Sequence, residues 1–173
     1  MIITISGPPG SGKSTLSRIL SVKLGMEHIS MGDIFRKCAE DRCMCLAEYG
    51  LLAKQNGDID RELDAMQKRI AKEKDNIILE GRLSGFLVEA DLKVWLKAPV
   101  EVRAERIAKR ENKPIPVAIA ETLEREECER ERYLGYYNID IKDLSVYDMV
   151  IDSSKWGAEE ISEIVMKAVE CLV

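Results

Sequence analysis

The chain has 173 residues, 46% of them hydrophobic and 33% charged, so it is long enough for one compact domain and is neither disordered nor embedded in a membrane. Its net charge of −5 argues against broad binding to nucleic acid, which usually requires a basic surface. The first apolar stretch is too short for a signal peptide, and no apolar run approaches the roughly 18 residues of a membrane span. We therefore expect a cytoplasmic protein without nucleic-acid or membrane partners.

The first predicted strand, Ile2–Ser6, leads directly into the sequence GPPGSGKST. Gly7, Gly12, Lys13 and Ser14 match the pattern G-x-x-x-x-G-K-[ST], and apolar residues at helical spacing follow it. In this motif, backbone N–H groups and a helix N-terminus bind phosphate, the lysine reaches the β- and γ-phosphates, and the serine binds Mg²⁺. The sequence thus predicts a P-loop for a nucleoside triphosphate. The predicted binding residues are Gly7, Pro8, Pro9, Gly10, Ser11, Gly12, Lys13, Ser14 and Thr15.

The second predicted strand, Glu27–Ser30, ends at the segment SMGDIFR. Gly32 and Asp33 begin a predicted helix that carries Arg36. This geometry could bind a second phosphate. The alternative is a helix N-cap followed by an arginine on the surface.

The third predicted strand, Asn76–Glu80, is followed by Gly81 and Arg82. The carboxyl end of a strand beside the P-loop strand lies in the ligand crevice of an open α/β sheet. We therefore predict that Glu80 orients a water on Mg²⁺ and that Arg82 binds the acceptor phosphate. The alternative is a solvated turn.

A helix rich in arginine is predicted after the fourth strand. Arg103, Arg106 and Arg110 are spaced by three and four residues, which places them near one helical face. Some of them are expected to form surface ion pairs with Glu105 or Glu111. Arg106 and Arg110 are the better candidates for binding the donor phosphates.

A second charged helix contains Arg125, Glu129 and Arg132, which are spaced i, i+4 and i+7 and so share one face, whereas Arg130 lies elsewhere. The alternative is a solvated charged face. We expect the stretch 110–132 to concentrate like charge that only bound phosphates neutralise. It should then stay open until substrates bind.

Alternation of short apolar segments with helical patterns favours an α/β fold with a parallel sheet. The predicted strands are Ile2–Ser6, Glu27–Ser30, Asn76–Glu80, Lys93–Lys97 and Met149–Asp152. A final helix is predicted from Gly157 and Ala158. Residues 31–74, broken at Gln55–Asp58, and residues 110–140 carry only helical patterns, so we expect them to form two mobile covers over one cleft.

The P-loop, the segment SMGD with Arg36, the segment EGR and the arginine-rich helices together resemble the nucleoside monophosphate kinases, and among them the cytidylate kinases of short, archaeal-like form. The resemblance covers essentially the whole chain. It implies a P-loop NTPase fold with a five-stranded parallel sheet flanked by helices. The implied regions are a core of residues 1–30, 75–110 and 133–173, a monophosphate-binding region of 31–74 and a lid of 111–132.

The resemblance implies an ATP-dependent kinase of pyrimidine nucleotide metabolism that uses Mg²⁺ and phosphorylates CMP or dCMP, and we expect a monomer. The segment DSSKW would lie near adenine. The implied catalytic residues are Lys13, Arg82, Arg106, Arg110, Arg125 and Arg132. The implied acceptor-binding residues are Ser30, Gly32, Asp33, Arg36, Asp60, Asp64, Gly81, Arg82 and Glu129, and the implied metal-binding residues are Ser14 and, through water, Glu80.

One position departs from the family pattern. Bacterial members usually carry an Asp directly after the arginine of the GR pair, where it helps recognise cytosine, and here that position is Leu83. The nearest carboxylates are Asp60 and Asp64, which lie four residues apart on one helical face. We expect one of them to accept a hydrogen bond from the cytosine amino group, and the alternative is that both face solvent.

Two other functions compete with this prediction. A kinase of the same fold could act on AMP, UMP or an alcohol, and an alcohol kinase would need a carboxylate base, for which Asp33 is the only good candidate. A regulatory nucleotide-binding switch would have no use for an acceptor-phosphate clamp at Arg36, Arg82 and Arg132. A phosphate acceptor needs no general base, in keeping with His28 as the single histidine, expected on a strand away from the loop ends. The cysteines Cys38, Cys43, Cys45, Cys128 and Cys171 are expected to be ordinary reduced thiols.

Overall fold

A computed structural model describes residues 1–172 as five parallel strands with helices on both faces of the sheet. The strand order is β2-β3-β1-β4-β5, and every neighbouring pair is parallel, which confirms the predicted fold class. The elements in chain order are β1 (Ile2–Ser6), α1 (Lys13–Leu24), β2 (Glu27–Ser30), α2 (Met31–Glu40), α3 (Leu46–Gln55), α4 (Asp58–Glu73), β3 (Ile77–Glu80), α5 (Ser84–Leu87), β4 (Leu92–Lys97), α6 (Val100–Glu111), α7 (Ile115–Tyr137), β5 (Met149–Asp152) and α8 (Ala158–Leu172).

Three strands have the predicted bounds, and two differ by one residue. The predicted third strand includes Asn76, but this residue has a φ of 55°, in the left-handed region, so the extended conformation begins only at Ile77. The fourth strand gains Leu92, which pairs with Ile3 of β1.

The main core lies between one face of the sheet and the helices α1 and α8. Ile3 and Ile5 of β1 alternate onto this face and are fully buried against Leu16 and Leu20 of α1 and Val165 of α8. This packing fixes the first turn of α1, and with it the P-loop, against the carboxyl ends of β1 and β3.

The opposite face of the sheet is covered by α4 and by the segment that contains α5. Ile77 and Leu79 of β3 pack there with Val88 and the partly buried Ile70. The short helix α5 was not predicted from the sequence because four residues carry no helical periodicity. It places the buried side chain of Ser84 beneath α4.

Residues 31–74 form three helices rather than the two that a single break at Gln55–Asp58 predicts. The missed break precedes α3, whose N-terminus is a capping box in which Cys45 takes the place usually held by Ser or Thr. A thiol is a weak hydrogen-bond acceptor and an uncommon cap, so the sequence gives little signal here. Ala39, Tyr49 and Ala53 give this region a small apolar cluster of its own.

The second helical stretch consists of the end of α6 and one long helix, α7. Asn112 ends α6 in the left-handed conformation, and α7 runs without a break through the predicted boundary at residue 133. The Tyr136 hydroxyl of α7 donates to the carbonyl of Lys54 at 2.6 Å, so α7 is joined to α3. The division of the chain into core, monophosphate-binding region and lid stays a prediction. Among residues 1–172, no helix has the length and apolar character needed to cross a membrane.

We expect Leu20→Ala to lower the free energy of unfolding by about 2–5 kcal/mol, because Leu20 is fully buried between the sheet and α8. Val22→Ala in the same helix is the matched control, since its side chain is 84% exposed and should change stability by less than about 0.5 kcal/mol. Urea unfolding of both variants measures this difference. Equal losses would contradict the packing described for α1.

Candidate active site

The P-loop connects β1 to α1 in a conformation that depends on its glycines. Gly7 and Gly10 have φ values of 150° and 75°. A Cβ atom would lie 2.3 Å from the Leu96 carbonyl oxygen at Gly7 and 2.6 Å from the Arg103 carbonyl oxygen at Gly10. Larger residues would push the loop off β4 and α6, so these positions require glycine.

Two arginines of α6 hold the P-loop from the side. Arg103 donates to the carbonyls of Ala98 at 2.8 Å and Pro9 at 3.1 Å and pairs with Glu126 of α7. Arg106 donates to the Gly10 carbonyl at 3.2 Å and to the carbonyl of Ser153 at 2.6 Å. Arg106 thereby ties the segment after β5 to the P-loop.

The three arginines of α6 therefore have different environments. Arg103, expected only as one of several surface candidates, is buried and positions the loop. Arg110 forms the expected surface pair with Glu111 at 2.7 Å, although it also lines the rim of the cleft. Helical spacing could not distinguish the buried Arg103 from the other two arginines, because Arg103 contacts backbone carbonyls supplied by other segments of the chain.

Lys13 and Ser14 begin α1 at the mouth of the loop. The Lys13 ammonium donates to the Pro8 carbonyl at 3.0 Å, and burial and then the positive charge of Arg82 lower its pKa well below the usual value. The Ser14 hydroxyl donates to Glu80 Oε1 at 2.6 Å. This pair of oxygen-bearing side chains beside the phosphate-binding backbone fits a hard divalent cation, which prefers oxygen ligands.

His28 lies closer to the site than the sequence predicted. Its Nε2 is 2.9 Å from Glu80 Oε2, so the expectation that it stands away from the loop ends is wrong. The reason is register, since His28 on β2 pairs with Ile78 and lies diagonally across from Glu80 on β3. Burial alone would raise the pKa of Glu80, but the hydrogen bonds from His28 and Ser14 outweigh burial and hold it below the usual value.

Arg82 links the P-loop to the long helix α7. Its Nη1 donates to the Gly7 carbonyl at 2.5 Å, and its Nε lies 2.8 Å from Glu129 Oε2. Glu129 also accepts from Arg125 Nε at 2.8 Å. Burial favours the neutral form of Glu129, but the charges of Arg82 and Arg125 prevail and lower its pKa to about 2.

Arg132 forms the other buried ion pair of α7. Its Nε lies 3.1 Å from Asp60 Oδ2 of α4, and its Nη1 donates to the Gly50 carbonyl of α3 at 3.2 Å. The arginines of α7 thus have carboxylate partners within the chain, so the expectation that only bound phosphates neutralise them is wrong. Sequence periodicity places these charges on one face but does not pair them across helices. Arg130 lies elsewhere, as predicted, and pairs with the exposed Glu127.

Asp60 and Asp64 both line the cleft rather than facing solvent. Burial raises the pKa of Asp60 to about 6 despite the opposing charge of Arg132. Burial also raises the pKa of Asp64. Gln67, which the sequence did not single out, lies beside them and is buried.

Two predicted acceptor residues have local roles instead. The Ser30 hydroxyl accepts from the backbone N–H of Asp33 and caps α2, which is the alternative considered for this segment. Asp33 pairs with Arg36 on the surface of α2, and neither Ser30 nor Asp33 lines the cleft, whereas Arg36 does.

The remaining predicted residues meet in one cleft of about 340 Å³ between the P-loop, α2, α4 and α7. The predicted site residues that line it are Pro9, Gly10, Gly12, Lys13, Ser14, Thr15, Gly32, Arg36, Asp60, Asp64, Glu80, Gly81, Arg82, Arg106, Arg110, Arg125, Glu129 and Arg132. Gly7, Pro8 and Ser11 support the cleft through their backbones.

Residues 2–155 match the model of the cytidylate kinase-like family. The chain is similar to a cytidylate kinase from Methanothrix thermoacetophila, with 51% identity over 172 residues that cover 99% of each protein. It is also 49% identical to a cytidylate kinase from Archaeoglobus fulgidus over 171 residues, 98% of this chain and 95% of the relative.

Solved structures give the same fold. A shikimate kinase from Bacteroides thetaiotaomicron superposes with a TM-score of 0.62 at 16% identity, covering 98% of both chains. A shikimate kinase from Aquifex aeolicus has a TM-score of 0.61 at 20% identity, covering 98% of this chain and 96% of that one. At these identities the likeness concerns the fold alone.

We expect Glu129→Gln to lower the free energy of unfolding at pH 7 by about 3 kcal/mol, the equivalent of the difference between its usual pKa of 4.5 and about 2. Because the folded-state pKa is the lower one, this stabilisation is present above pH 4.5 and is lost as the pH falls towards 2. The pKa of Asp60 is raised from 3.8 to about 6, so this residue lowers the free energy of unfolding as the pH rises through that range. It does so in the wild-type protein and in Glu129→Gln alike. Denaturant unfolding across pH 2–7 measures the effect.

Glu127→Gln is the control, because Glu127 pairs with Arg130 on the exposed face of the same helix. It should change stability by less than about 1 kcal/mol at any pH. If the wild-type protein and Glu129→Gln lost stability in parallel between pH 4.5 and 2, the ionic cluster around Glu129 would not be the source of this stabilisation.

Proposed function

We propose that this chain, which belongs to the cytidylate kinase-like family, transfers the γ-phosphate of ATP to CMP or dCMP and releases ADP and the corresponding diphosphate. The observation that carries the proposal is the convergence of a P-loop and a second set of arginines in one cleft. A P-loop by itself serves many nucleotide-binding proteins. The arginines beyond it supply a separate site for a second phosphate-bearing substrate.

On the donor side, the P-loop backbone and Lys13 bind the β- and γ-phosphates of ATP. Ser14, with Glu80 acting through water, would hold Mg²⁺, which when bound neutralises charge on the phosphates. The lowered pKa of Lys13 does not remove its role as a donor, because bound phosphates would raise the pKa again. Arg106 and Arg110 approach from α6 to flank the transferring group.

On the acceptor side, Arg36 and Arg82 bind the phosphate of the nucleoside monophosphate. Arg82 already touches the P-loop carbonyl of Gly7, so an acceptor phosphate held by it lies next to the donor phosphates. The attacking oxygen belongs to an ionised phosphate, so no side chain has to remove a proton. Catalysis then consists of positioning and charge stabilisation.

The helix α7 covers the cleft. Arg125 and Arg132 reach the cleft from one face of this helix. Glu129 orients Arg125 and Arg82, and Asp60 orients Arg132. Closure excludes water that would otherwise hydrolyse ATP. Asp60 or Asp64 accepts a hydrogen bond from the amino group of cytosine.

An alcohol acceptor is less compatible with this cleft. Asp33, the best candidate for the base that an alcohol would require, pairs with Arg36 on the surface of α2 and does not line the cleft. A regulatory switch does not account for Arg36 and Arg82 opposite the P-loop. The acceptor that best fits the site is therefore a nucleoside monophosphate.

Several finer features belong to the same proposal. We infer Mg²⁺ as the divalent cation, action as a cytoplasmic monomer in pyrimidine nucleotide metabolism, and no nucleic-acid partner. The net charge of −5 supports the last of these, because binding to nucleic acid usually requires a basic surface.

A panel of four acceptors tests the function. With ATP and Mg²⁺, kcat/KM for CMP and dCMP should exceed that for UMP and AMP by about 100-fold or more, because a site built to bind one hydrogen-bonding group rejects a mismatched one strongly. A coupled assay of ADP release measures all four. If AMP or UMP were the best acceptor, only the wider nucleoside monophosphate kinase assignment would survive.

Two variants control this panel. Lys13→Ala should lower kcat by about 10²–10³-fold with every acceptor, since it removes a charge that stabilises the transition state. Lys23→Ala, at the far end of the same helix, should leave rates and acceptor order unchanged, because Lys23 pairs with Glu159 away from the cleft.

A further inference from the structure

Gln67 is a buried amide side chain in the wall of the cleft, with a relative exposure of 3%. It lies one helical turn after Asp64 on α4. Its Nε2 donates to Asp64 Oδ1 at 3.3 Å, and its Oε1 accepts from the Ser84 hydroxyl of α5 at 2.8 Å. A buried amide held at both ends has a fixed position and a fixed orientation.

The orientation follows from the chemistry of its two partners. Burial raises the pKa of Asp64, a rise that the Tyr137 hydroxyl and the charge of Lys68 oppose. The hydrogen bond from Gln67 Nε2 to Asp64 Oδ1 is one that a carboxylate can form, because a carboxylate only accepts. The NH₂ group of Gln67 must therefore face Asp64, and its carbonyl must face the Ser84 hydroxyl. One amide N–H binds Asp64, and the second N–H is available to a ligand.

One carboxyl oxygen of Asp64 can accept a further hydrogen bond. Among residues 1–172, its buried Oδ2 has no hydrogen-bond partner of good geometry, although the Tyr137 hydroxyl, which also has none, interacts with this carboxyl group. Asp60 differs, since its Oδ2 faces Arg132 in a buried ion pair. Of the two aspartates that line the cleft, Asp64 is the one that forms no ion pair in the described part of the chain and has a neighbouring donor, Gln67.

We propose that Asp64 and Gln67 together recognise the base of the acceptor nucleotide, with Asp64 Oδ2 accepting from the cytosine 4-amino group and Gln67 Nε2 donating to cytosine N3. Ser84 is a positioning residue that holds the amide of Gln67. This proposal rests on the proposed function and deepens it. It assigns base selection to two residues one turn apart on α4. They take the place of the Asp that bacterial members usually carry at the position of Leu83.

The donor and acceptor order on these two side chains suits cytosine and opposes uracil. Cytosine presents a donor at its 4-amino group and an acceptor at N3. Uracil presents a carbonyl oxygen at position 4 and an N–H at N3. One contact would then place two acceptors opposite each other, and the other would place two donors opposite each other. Two buried mismatches in one small site give strong rejection.

A charge-conserving exchange tests the proposal. The double variant Asp64→Asn with Gln67→Glu reverses the donor and acceptor order that the two side chains present to the base and keeps the total charge. We expect kcat/KM to rise for UMP and fall for CMP, so that their ratio changes by about 100-fold or more and the variant prefers UMP. Asp64→Asn alone should raise kcat/KM for UMP, a gain that general damage to the fold does not produce.

Controls separate this proposal from the proposed function. Arg69→Ala, on the exposed face of α4, should leave the ratio of CMP to UMP unchanged. If the wild-type protein prefers CMP but the double variant and Asp64→Asn keep the wild-type ratio, this recognition scheme is wrong while the kinase assignment stands. Loss of both acceptors with no gain for UMP in either variant also overturns it. A wild-type protein that prefers AMP would refute the cytidylate assignment itself.

Discussion

The burial of several guanidinium groups in one cleft is the constraint on which the rest of the site depends. An unpaired buried charge is costly, and a cluster of like charges would drive the helices that carry them apart. Glu129 meets this cost for Arg82 and Arg125, and Asp60 meets it for Arg132. Because the pairs Glu129–Arg82 and Arg132–Asp60 join different segments of the chain, they hold α7 over the P-loop and over α4.

The same pairs connect the parts of the chain that we propose bind the two substrates. Arg82 touches the carbonyl of Gly7 on one side and Glu129 on the other, so the P-loop, the carboxyl end of β3 and the long helix α7 share one network. A phosphate that enters the cleft meets arginines that already have partners. The phosphate must therefore compete with Glu129 and Asp60 for these arginines. This competition favours a doubly charged phosphate in the correct position over a more weakly charged anion.

The fold could be predicted from the sequence because its determinants are local, namely short apolar strands and a P-loop motif whose geometry is fixed by glycine and helix N-terminal chemistry. The arginine face of α7 could be predicted for the same reason, from helical spacing alone. The partners of its charges could not, because Glu129 with Arg82 and Arg132 with Asp60 join residues far apart in the chain. The roles of His28, Gln67 and Arg103 were not predicted, because they depend on strand register, on a four-residue helix and on contacts with backbone carbonyls.

The most direct test of the central claim is the stoichiometry of products from the purified protein with ATP, Mg²⁺ and CMP, resolved by ion-exchange chromatography. Transfer between two substrates held in one cleft predicts one CDP for each ADP, with little inorganic phosphate and little ADP formed when CMP is left out. Formation of ADP with an equal amount of inorganic phosphate, at a rate that CMP does not change, would contradict the account and indicate a nucleotide hydrolase or switch.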